Sequence, residues 1–407
     1  MTRRLPVPLA WLNLTHSRLR VVLFCAGIGF AVLLMFLQFG CRKALLDANV
    51  LLLERLRDPL VVVSRRQTTI LLRSTFPRDL LQRALGVEGV ASVQPVYLEY
   101  ATSFLRNAEP DPAKRDPSQV IRVVGLDPDA YVLDFPQLNP AGPDSLTQAL
   151  HLSGRALFDS KAKHKAGAPS GTSVYGPVRP GTQTDLAGQR IVVVGLVELG
   201  IDFGTDGTLI VGLDTFRQVL RSSPYGPTMN DVDLGMVRLA PGADPARVQR
   251  SLAELYGDDG EVEVLTREQL MGREQRFWLN NTPIGAVFNF GMFMGFLVGL
   301  VICYQILSTD IRDNLSAYAT LRAIGYPNAF LARVVFEESM LLAVMGFVPG
   351  TLVSWGLYLL LEQWTDLPLR MTPARASFIF ALTVVMCVAS GLLAVRQATQ
   401  ADPAEVF

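Results

Sequence analysis

Four stretches of this 407-residue chain contain no Asp, Glu, Lys, Arg or His: Val21–Cys41, Thr282–Thr309, Ser339–Leu361 and Ala376–Val395. As helices, each is long enough to cross the hydrocarbon of a bilayer, for which about 20 apolar residues suffice. The 37 basic and 37 acidic residues all fall elsewhere, at about the density of an ordinary water-soluble domain. The chain is therefore part membrane and part globular. A wholly soluble enzyme, a coiled coil, a disordered chain and a porin with alternating strands of about ten residues are excluded. The fold class expected is an α-helical membrane protein with four transmembrane helices and a large α/β extracytoplasmic domain inserted between helices 1 and 2.

Arg3, Arg4, Arg18 and Arg20 precede the first crossing without an acidic residue, which holds that end in the cytoplasm by the positive-inside rule. The first run exceeds a signal-peptide core and no small-residue cleavage site follows it. The map expected is an amphipathic cytoplasmic segment over 1–20, crossings at 21–41, 282–309, 339–361 and 376–395, an extracytoplasmic domain over 42–281, a cytoplasmic loop over 310–338, a short outer loop over 362–375 and a cytoplasmic tail over 396–407. Residues 277–309 form 33 uncharged positions. As one helix they would reach ~50 Å, so a stalk continuous with the second crossing is expected.

Gly291, Gly295 and Gly299 repeat every four residues in that crossing, baring one helical face for close packing. Two occupants fit, another crossing of the same chain or a symmetric second copy. Gly346 and Gly350 share the spacing in the third crossing, where Pro349 should kink the helix. With no ionisable group inside the runs, no proton or ion relay is visible at membrane depth.

The region over 42–281 alternates strand and helix signals. Leu60–Val63, a helix over Pro77–Leu85 and Val90–Leu98 form one βαβ unit; Val232–Leu239, a helix over Asp244–Tyr256 and Glu261–Leu265 form another. Two such units flanking an insert suggest a split, ferredoxin-like sheet. Strands at Val120–Leu126, Arg190–Leu196 and Thr208–Val211 are expected in the insert, and long loops at 107–118 and 163–188. No phosphate-cradling GxxxxGK[ST], no GxSxG, no HExxH and no paired Cys/His spacing occurs, so no catalytic site, cofactor or metal is expected. His151 and His164 read as solvated, and Asp127, Asp129 and Asp134 as turn residues around Pro128. Zero net charge gives no basic field for nucleic acid.

Asp310–Ile324 spaces Ile311, Leu315 and Tyr318 on one helical face and stops at Gly325 before Pro327. This predicts a short amphipathic helix at the inner surface, either interfacial or a docking knob for a cytoplasmic protein. The stretch YQILSTDIRDNLSAYATLRAIGYPNAFLARVVFEESMLLAVMGFVPG (Tyr304–Gly350) resembles the core of the FtsX/MacB class of ABC-transporter permeases and, more narrowly, the DevC type. PLAWLNLTHSRLR (Pro8–Arg20), IRVVGLDPD (Ile121–Asp129), IVVVGLVELGIDFGTDGTLI (Ile191–Ile210) and the terminal ADPAEVF (Ala401–Phe407) extend the resemblance.

The resemblance implies a MacB-like periplasmic core domain and a homodimeric export permease in a bacterial inner membrane, both termini cytoplasmic. A separate DevA-like ATPase would supply energy, with a DevB-like membrane-fusion protein and a TolC-like outer-membrane channel as further partners. The cargo class implied is a lipid, glycolipid or other amphiphile. Ile311, Leu315, Tyr318, Leu321 and Arg322 would form the ATPase-docking face; Gly291, Gly295 and Gly299 would form the helix-packing or dimer face. A lipoprotein-releasing or envelope-regulating permease of the same build and a membrane-anchored sensor or scaffold are the alternatives. The short cytoplasmic segments, which hold no output domain, favour the permease.

Overall fold

The computed structural model describes residues 18–100, 103–108, 118–164, 173–221, 228–257, 260–313, 328–365, 369 and 371–400. These divide into two compact units, one built on residues 44–282 and one on the long apolar helices.

Helix α1 (Arg18–Ala48) buries Ile28, Ala31, Val32, Met35 and Phe36, a stripe at helical spacing. After the one-turn α2 (Leu51–Glu54) come β1 (Leu60–Ser64), β2 (Phe76–Pro77), α3 (Arg78–Arg83) and β3 (Val90–Glu99). The insert follows with β4 (Phe104–Arg106), β5 (Ser118–Val120), β6 (Arg122–Leu126), α4 (Thr147–Leu150), β7 (Arg155–Asp159), β8 (Gln183–Leu186), β9 (Gln189–Val197), β10 (Thr208–Gly212) and α5 (Leu213–Arg221). Then β11 (Asp231–Val232), β12 (Leu234–Leu239), α6 (Pro245–Tyr256), β13 (Val262–Thr266) and α7 (Arg267–Asn280) close the α/β unit.

Among the described residues the main sheet has 11 strands in the order β13-β1-β12-β3-β6-β10-β7-β9-β8-β4-β5. Its first four are mutually antiparallel and come from the two βαβ units, the ferredoxin-like arrangement expected. β3 belongs to both halves, since Val90–Val96 pairs with β12 and Tyr97–Glu99 pairs with β6. Alternation splits the core between the two faces of the sheet. On β1, Leu60 and Val62 join one cluster and Val61 and Val63 the other; on β10, Leu209 and Val211 oppose Ile210. Each buried Val or Leu of this kind contributes ~1.5–3 kcal/mol.

Local chemistry sets the helices. Asp244 accepts the Ala246 N–H (3.1 Å), Pro245 opens α6, and Gly257 ends it at φ 69°. Thr266 and Gln269 cap α7 reciprocally. The expected unbroken stalk is not formed. α7 ends at Asn280, Thr282 Oγ1 donates to the Trp278 carbonyl (2.6 Å), and Pro283, which has no N–H to give, starts α8 (Pro283–Asp313). α9 (Asn328–Thr365), with Pro349 inside it, and α10 (Pro373–Gln400) complete the described helices.

Among the described residues four helical segments are long and apolar enough to span a bilayer: Val22–Ala48, Pro283–Thr309, Arg333–Glu362 and Pro373–Arg396. The third therefore reaches past the charge-free run and includes Glu338, which is fully buried.

Candidate functional site: helix contacts and a buried polar network

The glycines of α8 lie against other helices of the same chain. A Cβ on Gly299 would stand 2.7 Å from the Ala31 Cβ of α1 and overlap Met386 of α10, and one on Gly291 would stand 2.5 Å from the Gln38 side chain. Gly295 has more room, with Leu34 Cβ at 3.4 Å. On α9, Gly350 is pressed onto the backbone of Gly29, whose carbonyl oxygen would lie 2.9 Å from an added Cβ, and Gly346 is covered by Ile28. Bare backbone thus lets α1 approach α8 and α9 closely. Polar side chains join other contacts, with Ser390 Oγ donating to the Leu300 carbonyl (2.8 Å) and Tyr358 Oη to that of Phe36. The Cys303 and Cys387 sulfurs meet at 3.5 Å.

Of the expected docking face, Ile311 is buried on the last turn of α8. Leu315, Tyr318, Leu321 and Arg322 lie outside the described residues.

In the α/β unit, three buried charged nodes join segments far apart in sequence. Glu274 of α7 accepts from Thr69 Oγ1 (2.5 Å), Ile70 N (2.8 Å) and Trp278 Nε1 (2.9 Å). Burial nevertheless pushes its carboxyl above the ordinary range, outweighing these donors. Trp278 stacks on Phe203 at 5.1 Å, the Phe203 N–H donates to Asn49 Oδ1 (3.3 Å), and Leu71 fills the space a Cβ on Gly204 would need. α7, the 67–72 loop and the 199–205 loop are thereby joined.

Arg122, wholly buried on β6, pairs with Asp202 and donates to Thr208 Oγ1 (3.0 Å). The other oxygen of Asp202 takes the Gly204 and Thr205 N–H groups at 2.9 Å. Arg73 makes the third node, spanning Asp233 through Nε and Nη2 (both 2.9 Å) and Glu99 through Nη1 (2.8 Å). Burial raises the Asp233 carboxyl to about 6 despite Arg73. The one signal in sequence was a lone Arg or Asp inside an apolar run, at VIRVVGL and VDLG, where a buried charge requires a partner.

The groups read as turn or solvent residues have those surroundings. Asp127 caps its own turn by accepting the Asp129 N–H (3.1 Å), and exposed His151 lies 3.0 Å from Asp129. Among the described residues no His, Cys, Asp and Glu group is arranged to hold a metal. These nodes tie together loops and strands that are far apart in sequence.

Residues 289–403 match the family described as FtsX-like permease C-terminal. Among the solved structures similar to this chain are two extracytoplasmic domains. The periplasmic region of MacB from Actinobacillus actinomycetemcomitans is 11% identical over 56% of this chain and 96% of that one, with a TM-score of 0.34. The extracellular domain of the ABC-type transporter YknZ from Gram-positive bacteria is 15% identical over 51% and 98%, with a TM-score of 0.32. No curated protein matches the chain.

Proposed function

We propose that this chain is the membrane subunit of an ATP-driven ABC export permease in a bacterial inner membrane, without an ATPase of its own. The observation that carries the reading is the FtsX-like permease match over 289–403, on the residues of three apolar helices. The absence of a phosphate-cradling motif and the buried structural nodes of the α/β unit agree with a mechanical part rather than a catalyst. In this reading a DevA-like ATPase docks on Leu315, Tyr318, Leu321 and Arg322, while Ile311, buried on α8, anchors the start of that segment rather than meeting the partner. A DevB-like fusion protein and a TolC-like channel complete the path for an amphiphilic cargo.

The permease acts as a homodimer. Because Gly291 and Gly299 are occupied within the chain, a second copy would meet α8 on Val287, Phe290, Met294, Leu297 and Val301. These exposed residues alternate spacings of three and four, as a left-handed helix pair requires.

The test is co-purification of the ATPase with Leu315→Asp and Tyr318→Ala, and ATPase stimulation in the reconstituted complex. Placing a carboxylate in an apolar contact costs several kcal/mol, on the order of 10²-fold or more in affinity. Docking and stimulation unchanged in Leu315→Asp would remove this helix as the coupling element. Saturable ATP hydrolysis by the pure chain alone would overturn the class.

A further inference from the structure

Helices α8 and α10 touch along a stretch built on small residues. A Cβ on Gly299 would overlap Met386, Ser390 Oγ donates to the Leu300 carbonyl (2.8 Å), and a Cβ on Gly391 would stand 3.6 Å from Leu307. Positions 299–307 of α8 thus meet positions 386–391 of α10, the close approach that small residues permit between apolar helices. Within this stretch lie Cys303 and Cys387, both free thiols and both fully buried, with their sulfurs 3.5 Å apart across 84 residues of sequence. Here a serine side chain already reaches the neighbouring backbone, so two facing cysteines of the same length have reach to spare.

A disulfide holds its sulfurs at ~2.05 Å, so this pair has to close by ~1.5 Å, and rotation about the two Cα–Cβ bonds is the motion that closes it. The remaining cysteines offer no such pair to each other. Cys25 and Cys41 both lie on α1, and the 16 positions between them span ~24 Å of one helix.

We propose that Cys303 and Cys387 are a modification site, at which a small neutral hydroperoxide forms an intramolecular disulfide that pins α8 to α10. With hydrogen peroxide, one sulfur attacks the O–O bond. An S–O bond forms, the O–O bond breaks, and the departing hydroxide leaves with the thiol proton as water; sulfur is oxidised to a sulfenic acid and peroxide oxygen is reduced. The second sulfur then attacks the sulfenyl sulfur. The S–S bond forms, the S–O bond breaks, and hydroxide leaves with the second thiol proton as another water. This step is intramolecular and outruns further oxidation, because the resolving sulfur already stands in contact. Full burial selects the oxidant, since an apolar helix contact admits a small neutral solute and rejects charged reagents. Once linked, the two helices can neither slide nor part at this level. Both cysteines belong to the unit of apolar helices, and their chemistry is independent of the permease reading.

The experiment uses the full chain in nanodiscs of phosphatidylethanolamine and phosphatidylglycerol, with Cys25→Ala and Cys41→Ala so that only the pair is counted. Hydrogen peroxide is added and removed with catalase, and the chain is then unfolded and alkylated with a high-mass maleimide. The count should fall from two thiols per chain to none, and dithiothreitol added after unfolding should restore both. The wild-type chain, treated alike and digested without reduction, should yield the Cys303 and Cys387 peptides joined and lighter than their sum by two hydrogen atoms. That readout stands by itself if the double variant does not fold.

Thiols that survive peroxide in the folded chain while the unfolded chain loses them would overturn the proposal. So would a loss that dithiothreitol does not reverse, which marks oxidation past the sulfenic acid at sulfurs too far apart to pair. A reversible loss that runs as a linked dimer on a non-reducing gel would place the bond between two copies and overturn it equally.

Discussion

Replacing Glu274 with Gln tests whether the joint between α7 and the 67–72 loop depends on a carboxylate. The side chain is 2% exposed in the folded domain and satisfies three donors, two on one oxygen and the Ile70 N–H on the other. Gln has a single acceptor. With the amide oxygen toward Thr69 and Trp278 the Ile70 N–H is left facing an NH₂ group, and with the amide turned the other way two donors are. A lost bond to a charged group costs ~1.5–3 kcal/mol, and about 2 kcal/mol corresponds to a fall of about 4–8 °C in the melting temperature of a domain this size. Glu274→Ala strands all three donors and should fall roughly twice as far.

The pH dependence gives an independent sign. Burial raises the folded carboxyl above its ordinary 4.5, so folding favours the protonated form. That contribution is present below 4.5 and is lost as pH rises through the raised value. The wild type should therefore lose stability over this window, and Glu274→Gln should lose less. The assay is thermal unfolding of the detergent-purified chain followed by tryptophan emission, to which Trp278 contributes from within the joint. A Gln variant with wild-type melting at every pH and unshifted emission would refute the argument.

Asp233→Asn should flatten a second pH dependence. With the folded carboxyl at about 6 against an ordinary 3.8, stability is lost as pH rises between those values in the wild type but not in the variant, as a melting series from pH 4 to 7 would show. Arg122→Met leaves Asp202 buried without its cation and should cost about 3–5 kcal/mol, read as loss of folded protein in a thermal scan. Gly299→Ala should destabilise the membrane helices by about 1–3 kcal/mol through overpacking on Ala31, while Gly295→Ala stays near wild type; equal melting of the two in detergent would contradict the packing geometry.

The strands that were legible in sequence are those whose burial made them continuously apolar. β1, β6 and β10 are buried at every position and stand out as β-branched runs between turn residues. β8 is Gln-Thr-Asp-Leu with one buried residue, and it was hidden inside an expected loop because its pairing to β9 comes from backbone alone. The break after α7 is hidden for a related reason: hydropathy is uniform across Phe277–Thr309, so only the terminating chemistry of Asn281, Thr282 and Pro283 marks it. The nodes at Glu274, Arg122 and Arg73 were illegible as pairs, because their partners lie 205, 80 and 160 positions away and no periodicity links them.

The strand shared by the two halves of the sheet also fixes the order in which this chain can fold as it leaves the ribosome. β12 lies between β1 and β3 but is made about 135 residues after β3, roughly 7 to 27 s later at about 5–20 residues per second. During that interval the ferredoxin-like half has an empty central place and two unpaired edges. The insert meets no such wait, because Tyr97–Glu99 already offers β6 a template. Arg73 can take Glu99 at once, but Asp233 reaches it only when the loop closes, against an entropy of about 4 kcal/mol for that length. Nascent chains stalled before Leu234 should therefore carry an ordered insert beside an open β1–β3 gap, the stage at which a holding chaperone would find exposed strand edges to bind.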